Sequence, residues 1–200
     1  MIIIVANSPY HNFDNYIYNK EDKFIGIEDG ALEIINRGFK LDLAIGDFDH
    51  TTNLELIKKE ANLLISFPKD KDQIDLELAL MYLKDQLIKD EIRIYNAVYG
   101  RIDHELITIK LLYKYDMLNI KLFSDHEIIS LINKDTILPN NKIFSLIPLN
   151  DVELSIANAK YNLKRTIIKL NDNFTSSNQS LNNTLIKIYN GKIILIINNN

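Results

Sequence analysis

The stretch from Leu41 to His50, Leu-Asp-Leu-Ala-Ile-Gly-Asp-Phe-Asp-His, places a short apolar run directly before two carboxylates. Residues 43–45 are too few for a stable helix, and Gly46 beside aspartate breaks regular structure, so the run predicts a buried strand that ends in a turn. In extended backbone alternate side chains share a side, which brings Asp47 and Asp49 together. Two such carboxylates suit Mg²⁺. On its own, an Asp-x-Asp turn is more often an acidic surface loop. Whether this one is a metal site therefore depends on which residues follow the neighbouring strands.

Strands and helices alternate in the first 120 residues. Apolar runs indicate strands at residues 2–6, 24–27, 41–45, 63–67 and 92–98. Apolar residues at helical spacing indicate helices at residues 31–37, 53–61, 74–88 and 106–113, and Asp72 or a neighbour is the expected N-cap of the third helix. Alternation of this kind predicts a parallel sheet, whereas residues 7–22 fit neither pattern.

Aspartate follows four consecutive strands of this predicted sheet. The carboxyl ends of parallel strands meet at one edge, where ligands bind in such folds. We therefore expect the carboxylates to crowd together, to repel one another, and to be relieved by a divalent cation that binds with a nucleotide. The residues are Asp29, Asp47, Asp49, Asp70, Asp72, Asp75 and Asp103.

Positive side chains accompany these carboxylates in the sequence. Lys69 and Lys71 alternate with the acids, and Arg101 precedes the fourth helix, so cations are available for phosphate oxygens. His104 is placed to contact a phosphate or to assist proton transfer, although a histidine in a first helical turn is more often structural. The combination predicts phosphate chemistry with magnesium. For residues 69–72 alone, the alternative is a charged surface loop.

The pattern changes after residue 119 to short apolar runs separated by polar turns. The runs cover residues 120–123, 128–132, 143–147, 152–156, 163–170, 185–189 and 192–197, and Asn190-Gly191 predicts a two-residue hairpin between the last two. The sequence therefore predicts an α/β protein. A Rossmann-like parallel-sheet domain over residues 1–122 is followed by an antiparallel β-sandwich domain over residues 123–200.

Composition argues against several kinds of partner and binding site. The net charge of -4 provides no basic surface, so we expect neither nucleic acid nor an anionic membrane as a partner. The chain has no cysteine, and residues 1–6 are too short for a membrane span and lack a basic leader, so we expect a cytoplasmic protein. Neither common glycine-rich phosphate-binding loop occurs, and the four histidines lack metal-ligand spacing, which argues against zinc.

Three blocks of the sequence resemble the signature blocks of the thiamine pyrophosphokinase family. They are Gly46-Asp-Phe-Asp49, Asp70-Lys-Asp-Gln-Ile-Asp75 with the following Leu76-Glu-Leu-Ala-Leu80, and Gly100-Arg-Ile-Asp-His104, in the family's order. A fainter likeness covers Asp29-Gly30, Ser145 to Leu149, Tyr161 to Leu163 and Ser177-Asn178. The resemblance spans nearly the whole chain.

This resemblance implies transfer of pyrophosphate from ATP to the hydroxyl of thiamine, with Mg²⁺, in a homodimer whose active sites form between subunits. It implies catalytic roles for Asp47, Asp49, Asp72, Asp75 and Asp103, and metal binding by Asp47, Asp49, Asp70 and Asp72. It implies nucleotide contacts for Lys71, Gln73, Arg101, His104 and Asp29, and thiamine contacts for Ser177 and Asn178.

The sequence departs from the family pattern at several positions. His50 stands where serine is usual, Ile74 where threonine is usual, Tyr99 where glycine is common, and Ala31 at the second glycine of Asp-Gly-Gly. Ile74 matters most because it removes a hydroxyl beside the acids. Two alternatives therefore stay open: a pyrophosphokinase for another hydroxyalkyl heterocycle such as 6-hydroxymethyl-dihydropterin, and a non-catalytic nucleotide- or thiamine-binding module.

Overall fold

The computed structural model describes residues 1–9, 11–98 and 100–198. The chain divides into two compact units, Met1–Ser124 and Asp125–Asn200. Together they make a mixed α/β protein in which most regular structure is sheet. Tyr99, one of the departures noted above, lies outside the described residues. No helix in the described part of the chain is long and apolar enough to cross a membrane.

A parallel sheet forms the centre of the first unit. Its strands are β1 (Ile2–Val5), β2 (Lys23–Ile27), β3 (Leu43–Gly46), β4 (Leu64–Ser66), β5 (Glu91–Tyr95) and β6 (Asn119–Phe123). They lie in the order β6-β5-β1-β2-β3-β4, and every pairing between them is parallel. The strand order reverses direction between β1 and β5, which is where ligands bind in open parallel sheets.

Helices connect these strands as the alternation predicts. They are α1 (Gly30–Asn36), α2 (Leu54–Glu60), α3 (Asp75–Asp85) and α4 (Ile102–Lys114). The side chain of Asn53 caps α2 by accepting a hydrogen bond from the Leu56 N–H at 3.1 Å. The predicted cap of α3 was wrong, because Ile74 occupies the N-cap position and no side chain caps that end.

The core of the first unit accounts for the predicted strands and for residues 7–22, which fitted neither pattern. All four residues of β1 are buried, as expected for a strand covered on both faces. Within residues 7–22 a short 3₁₀ helix, Asn12–Asn15, inserts the fully buried ring of Phe13 beside Tyr95. Aromatic packing rather than periodicity fixes this segment. An isolated buried phenylalanine leaves no periodic signal in the sequence.

The second unit is antiparallel throughout its described pairings. Its strands are β7 (Glu127–Ile132), β8 (Thr136–Leu138), β9 (Ile143–Ile147), β10 (Val152–Ala159), β11 (Leu163–Ile168), β12 (Asn178–Asn190) and β13 (Ile193–Asn198). The strand β13 pairs with β7 and β9, whereas β10 pairs with β11 and β12. The long strand β12 pairs with β9 through its first two residues and with β10 and β8 further along.

Two local predictions about the later strands were wrong. The Asn190-Gly191 turn does not close a hairpin, because β12 pairs with β8, β9 and β10 while β13 pairs with β7 and β9. Gly191 has φ of +89° and passes the chain from one set of strands to another. The run at residues 120–123 was grouped with the antiparallel strands, but it forms β6, which pairs in parallel with β5.

Candidate active site

A cavity of about 630 Å³ opens at the point where the strand order reverses. Residues 6–9 line it from the end of β1, and residues 96–97 line it from the end of β5. Its volume lies in the range of ordinary small-molecule sites. Three cations and three carboxylates contribute to its wall: Lys69, Lys71, Arg101, Glu28, Asp75 and Glu105. The cavity therefore lies at the expected position and contains the expected cations, but of the seven predicted aspartates only Asp75 is among its described lining residues, and Asp47 and Asp49 are not.

The segment after β4 forms one wall of this cavity, and Ile74, the departure that removes a hydroxyl, lines it together with the polar residues of the segment. Lys69, Lys71, Gln73 and Asp75 all line the cavity. The intervening Asp70 and Asp72 are exposed and line neither described cavity. The sequence predicted that the acids of this loop would face the site. The structure instead places both lysines in the cavity wall, with the Lys71 side chain 12% exposed and the Lys69 side chain 68% exposed, and leaves these two acids outside it.

Asp47 and Asp49 follow β3, as predicted, and each is paired with a lysine of the next loop. The Nζ of Lys71 lies 2.9 Å from Asp47 Oδ2, and the Nζ of Lys69 lies 2.5 Å from Asp49 Oδ2. The hydrogen bond from Lys71 lowers the pKa of Asp47. The Asp49 N–H also donates to Asp47 Oδ1 at 3.2 Å, which closes a tight turn. His50 contacts Asp49, with Nε2 3.4 Å from Oδ2.

Asp75 starts α3 and shares Lys71 with Asp47. The Lys71 Nζ lies 3.1 Å from Asp75 Oδ1. Burial raises the pKa of Asp75 despite this cation. Burial disfavours the charge on Lys71 as well, but its hydrogen bonds to the two carboxylates outweigh burial and raise the pKa of Lys71. A lysine with 12% of its side chain exposed thus joins two loops through two carboxylates.

Glu28 is a functional candidate that sequence reasoning missed. It directly follows β2 with φ of +53°, is buried, and lines the cavity. Its Oε1 accepts hydrogen bonds from the backbone N–H of Asp47 at 2.7 Å and of Phe48 at 3.0 Å. Burial raises the pKa of Glu28. Glu28 therefore fixes the shape of the loop that presents Asp47, where Phe48 adopts φ of +57°.

Asp29, which the sequence suggested instead of Glu28, does not line this cavity. Its Oδ1 accepts hydrogen bonds from the hydroxyl of Thr51 and, at 3.3 Å, from the Thr52 N–H. Asp29 lines a second cavity of about 520 Å³. Two acids follow each other at this strand end, and the only sequence signal for Glu28 is that position. Which of the two turns toward Asp47 depends on the left-handed backbone at Glu28.

Arg101 and His104, at the start of α4, line the cavity as the phosphate hypothesis requires. Asp103 is exposed and pairs with Arg101, whose Nη2 lies 2.5 Å from Asp103 Oδ2. The hydrogen bond from Arg101 lowers the pKa of Asp103. Asp103 thus contacts the edge of the site through Arg101 and does not itself line the cavity.

Asn96 is a second residue that sequence reasoning missed. It is buried, follows β5 with φ of +60°, and lines the cavity. Its backbone N–H donates to Asn12 Oδ1 at 2.6 Å, and its Oδ1 accepts from the Phe13 N–H at 3.1 Å. Its Nδ2 donates to Glu33 Oε2 at 2.8 Å. Asn96 therefore ties the end of β5 to the 3₁₀ segment and to α1.

In the second unit, three of the fainter blocks of resemblance contact one another. The Ser177 N–H donates to Ser145 Oγ at 3.0 Å. The Asn178 side chain accepts from the Tyr161 N–H at 3.0 Å and donates to the Tyr161 carbonyl at 2.7 Å. Asn178 is buried, whereas Ser177 and Tyr161 are exposed. Asn178 therefore holds the backbone of Tyr161 in place.

The expected crowding of carboxylates is not what the structure shows. Within residues 1–9, 11–98 and 100–198, no three His, Cys, Asp or Glu side chains lie close enough to hold one metal ion between them. Asp47 and Asp49 each face a lysine, which cancels much of the repulsion that the sequence suggested. Their oxygens still provide the donor type that Mg²⁺ prefers.

Comparison with known proteins agrees with the resemblance read from the three blocks. The family described as "Thiamin pyrophosphokinase, catalytic domain" matches residues 15–124. Thiamine pyrophosphokinase from Bacillus subtilis is 33% identical over 193 residues, covering 89% of this chain and 88% of the relative.

Solved structures show the same fold over the whole chain. The crystal structure of the Bacillus subtilis thiamine pyrophosphokinase has a TM-score of 0.83 at 27% identity and covers 98% of both chains. That of a thiamin pyrophosphokinase family protein from Enterococcus faecalis has a TM-score of 0.84 at 25% identity and covers 100% of this chain and 99% of the other. The chain belongs to the thiamine pyrophosphokinase family.

Proposed function

We propose that the cavity at the switch point is the active site of a thiamine pyrophosphokinase. The enzyme transfers the pyrophosphoryl group of ATP to the hydroxyl of thiamine and releases AMP, as family membership indicates. The observation in the structure that carries the assignment is the wall of Lys69, Lys71, Gln73 and Asp75 along a cavity of about 630 Å³. This wall presents cations for phosphate oxygens next to acidic loops.

The reaction asks for charge neutralisation and alignment rather than a covalent intermediate. The thiamine hydroxyl attacks the β-phosphorus in line with the leaving AMP, so negative charge on the transferred group must be balanced in a fixed geometry. Lys69, Lys71 and Arg101 line the cavity and are the groups we assign to phosphate oxygens. Gln73 and His104 line the same cavity and can hydrogen-bond to the nucleotide.

We assign Mg²⁺ to Asp47 and Asp49. In nucleotide enzymes this ion takes one or two carboxylates and completes its shell with phosphate oxygens and water, so a third protein ligand is not required. When bound, it would neutralise phosphate charge and polarise the reacting phosphorus. Metal binding by Asp70 and Asp72 stays a prediction from the resemblance, as do the catalytic roles of Asp72 and Asp103. Asp29 stays a predicted nucleotide contact.

The remaining assignments extend the proposal to the whole chain. We assign residues 1–122 to a Rossmann-like catalytic domain that binds ATP and Mg²⁺, and residues 123–200 to a β-sandwich that binds thiamine. Ser177 has an exposed hydroxyl for the acceptor, and Asn178 would act by holding Tyr161. A homodimer with active sites at the subunit interface and a cytoplasmic location complete the proposal.

The acceptor is tested by incubating the protein with ATP and Mg²⁺ in the presence of thiamine or 6-hydroxymethyl-dihydropterin. We expect AMP and thiamine diphosphate in the first reaction and no AMP in the second. AMP formed only with the pterin would support the alternative pyrophosphokinase. Nucleotide binding without turnover would support a non-catalytic module, and ADP as product would contradict attack at the β-phosphorus.

The position of the site is tested by matched aspartate substitutions. Asp49→Asn should lower turnover by about 100-fold or more, a loss typical for removal of a charged group that acts on the transition state. Asp90→Asn is the control, because Asp90 is exposed and precedes β5, at the opposite end of that strand from the cavity. Near-normal turnover in Asp49→Asn would remove this residue from the site.

A further inference from the structure

The surroundings of Lys71 are unusual for a lysine whose only role is to bind a phosphate. Its ammonium lies 2.9 Å from Asp47, in the loop after β3, and 3.1 Å from Asp75, four residues further along its own segment at the start of α3. Only 12% of its side chain is exposed. A lysine waiting for an incoming ligand would extend into the cavity with its charge solvated, but this one is enclosed by protein carboxylates.

The same loop carries a second lysine–aspartate pair two residues earlier, although the Lys69 side chain is 68% exposed. Lys69 lies 2.5 Å from Asp49, so both acids assigned to magnesium are paired with lysines. A metal ion on these oxygens would stand next to ammonium groups of like charge. The carboxylates thus have a resident cation already, and a second cation must compete with it.

We propose that Lys71 serves as the internal counterion of Asp47 and releases that carboxylate to magnesium only when a polyphosphate arrives to receive the ammonium. This inference rests on the proposed function, since it uses the same site and the same nucleotide. Lys71 then determines the form in which the metal binds. The enzyme binds the metal–nucleotide complex and excludes the free ion.

Asp75 keeps Lys71 paired while Lys71 moves from Asp47 to phosphate oxygens. It holds Lys71 from the first turn of α3 and is not one of the carboxylates assigned to the metal. When Asp47 turns to the metal, Lys71 keeps one carboxylate and gains phosphate oxygens, so its charge stays neutralised throughout. A simple phosphate ligand would need neither contact.

The two roles differ in what happens to free metal when the lysine is removed. If Lys71 only binds phosphate, its loss weakens nucleotide binding and leaves the affinity for free metal unchanged. If Lys71 is the counterion of Asp47, removal of Lys71 frees the Asp47 carboxylate and strengthens binding of the free ion. Affinity for metal without nucleotide therefore separates the two roles and requires no turnover.

The experiment measures Mn²⁺ binding by electron paramagnetic resonance, without nucleotide, in the full-length protein and in Lys71→Met. We expect Lys71→Met to bind Mn²⁺ at least about tenfold more tightly, because a contacting positive charge is removed, and to bind a nonhydrolysable ATP analogue more weakly. Lys71→Arg keeps the charge and should resemble the native protein. Lys58→Met is the matched control, since Lys58 pairs with Glu55 at 2.8 Å on α2, outside the cavity.

Asp47→Asn added to Lys71→Met should remove the gained Mn²⁺ affinity, which locates the site. Unchanged or weaker Mn²⁺ binding in Lys71→Met would overturn the proposal, whatever the native enzyme does with thiamine. Lys71→Gln provides a second variant if melting shows that Lys71→Met is unfolded, and the same two outcomes apply to it. Failure of the proposed function would instead appear as absence of AMP in the native protein.

Discussion

The contact between Glu28 and Gly46 gives the sharpest quantitative prediction for the loop that carries Asp47. A Cβ added at Gly46 would stand 1.9 Å from Glu28 Oε1 and 2.6 Å from its Cδ. Such contacts are impossible, so Gly46→Ala must displace the Glu28 carboxylate. The same carboxylate accepts the N–H groups of Asp47 and Phe48. Gly46→Ala and Glu28→Ala should therefore break the same two hydrogen bonds.

The expected loss in the free energy of unfolding follows from those two hydrogen bonds. A buried donor left without a partner costs about 1–3 kcal/mol. Two donors lose their acceptor, but the cost of burying the carboxylate, seen in the raised pKa of Glu28, is recovered in part. We expect each single variant to lose about 2–4 kcal/mol of the free energy of unfolding. Because the three nearest atoms to the added Cβ all belong to Glu28, the double variant should be less stable than Glu28→Ala only by the backbone strain of alanine at the Gly46 φ of +158°.

The assay is a double-mutant cycle measured by urea unfolding with circular dichroism, in EDTA. The coupling energy between the two positions should be about 2 kcal/mol, within the range for residues in direct contact. Gly38→Ala is the control: its φ is +73° but its added Cβ meets nothing within 4 Å, so backbone strain alone applies and its effect should add to that of Glu28→Ala. If the losses of Gly46→Ala and Glu28→Ala simply add, the carboxylate does not hold the loop as described.

Three further predictions concern the end of β5 at the cavity, an ion-pair cluster at the opposite end of β5, and binding of metal and nucleotide. Asn96→Ala should lower the free energy of unfolding by about 2–4 kcal/mol in thermal melts, because it removes two side-chain hydrogen bonds at a buried position with positive φ. Burial opposes ionisation of Glu91, but hydrogen bonds from Lys121 and Arg93 outweigh it and lower the pKa of Glu91 below 4.5. Glu91→Gln should thus cost about 1–2 kcal/mol in urea melts at pH 7, and the difference should vanish as pH falls through the lowered pKa. Mg²⁺ alone should leave the melting temperature within about 1 °C, whereas Mg²⁺ with a nonhydrolysable ATP analogue at 100 times its Kd should raise it by about 5–10 °C in differential scanning fluorimetry.

The parts of the fold that could be predicted are those that depend on local pattern. Buried apolar runs and helical spacing gave the strands and helices of the first unit, because each run is long enough to show its period. The position of the acidic loops followed from one geometric fact, that the carboxyl ends of parallel strands lie together. The Asn190-Gly191 hairpin failed because β12 is thirteen residues long and its pairing with β10 outweighs a local turn preference.

The orientation of individual side chains at the site could not be predicted in the same way. The choice between Glu28 and Asp29 depends on a backbone angle of +53° that a glutamate seldom adopts. In the loop after β4, the sequence shows lysines and acids in alternation but does not say which set faces inward. That choice depends on Asp47, which offers its carboxylate to Lys71 from the loop after β3, and on Asp75, which does so four residues along the chain at the start of α3.

The contacts around Asp47 follow the order of strands in the sheet. Glu28 follows β2, Asp47 follows β3, and Lys71 follows β4, while β3 lies between β2 and β4. Glu28 holds the backbone of Asp47 from one side, and Lys71 holds its carboxylate from the other. A change in either neighbouring loop therefore reaches Asp47 through one contact. The parallel sheet does more than collect acidic loops at one edge, because it sets each loop between the two partners that determine its shape and its charge.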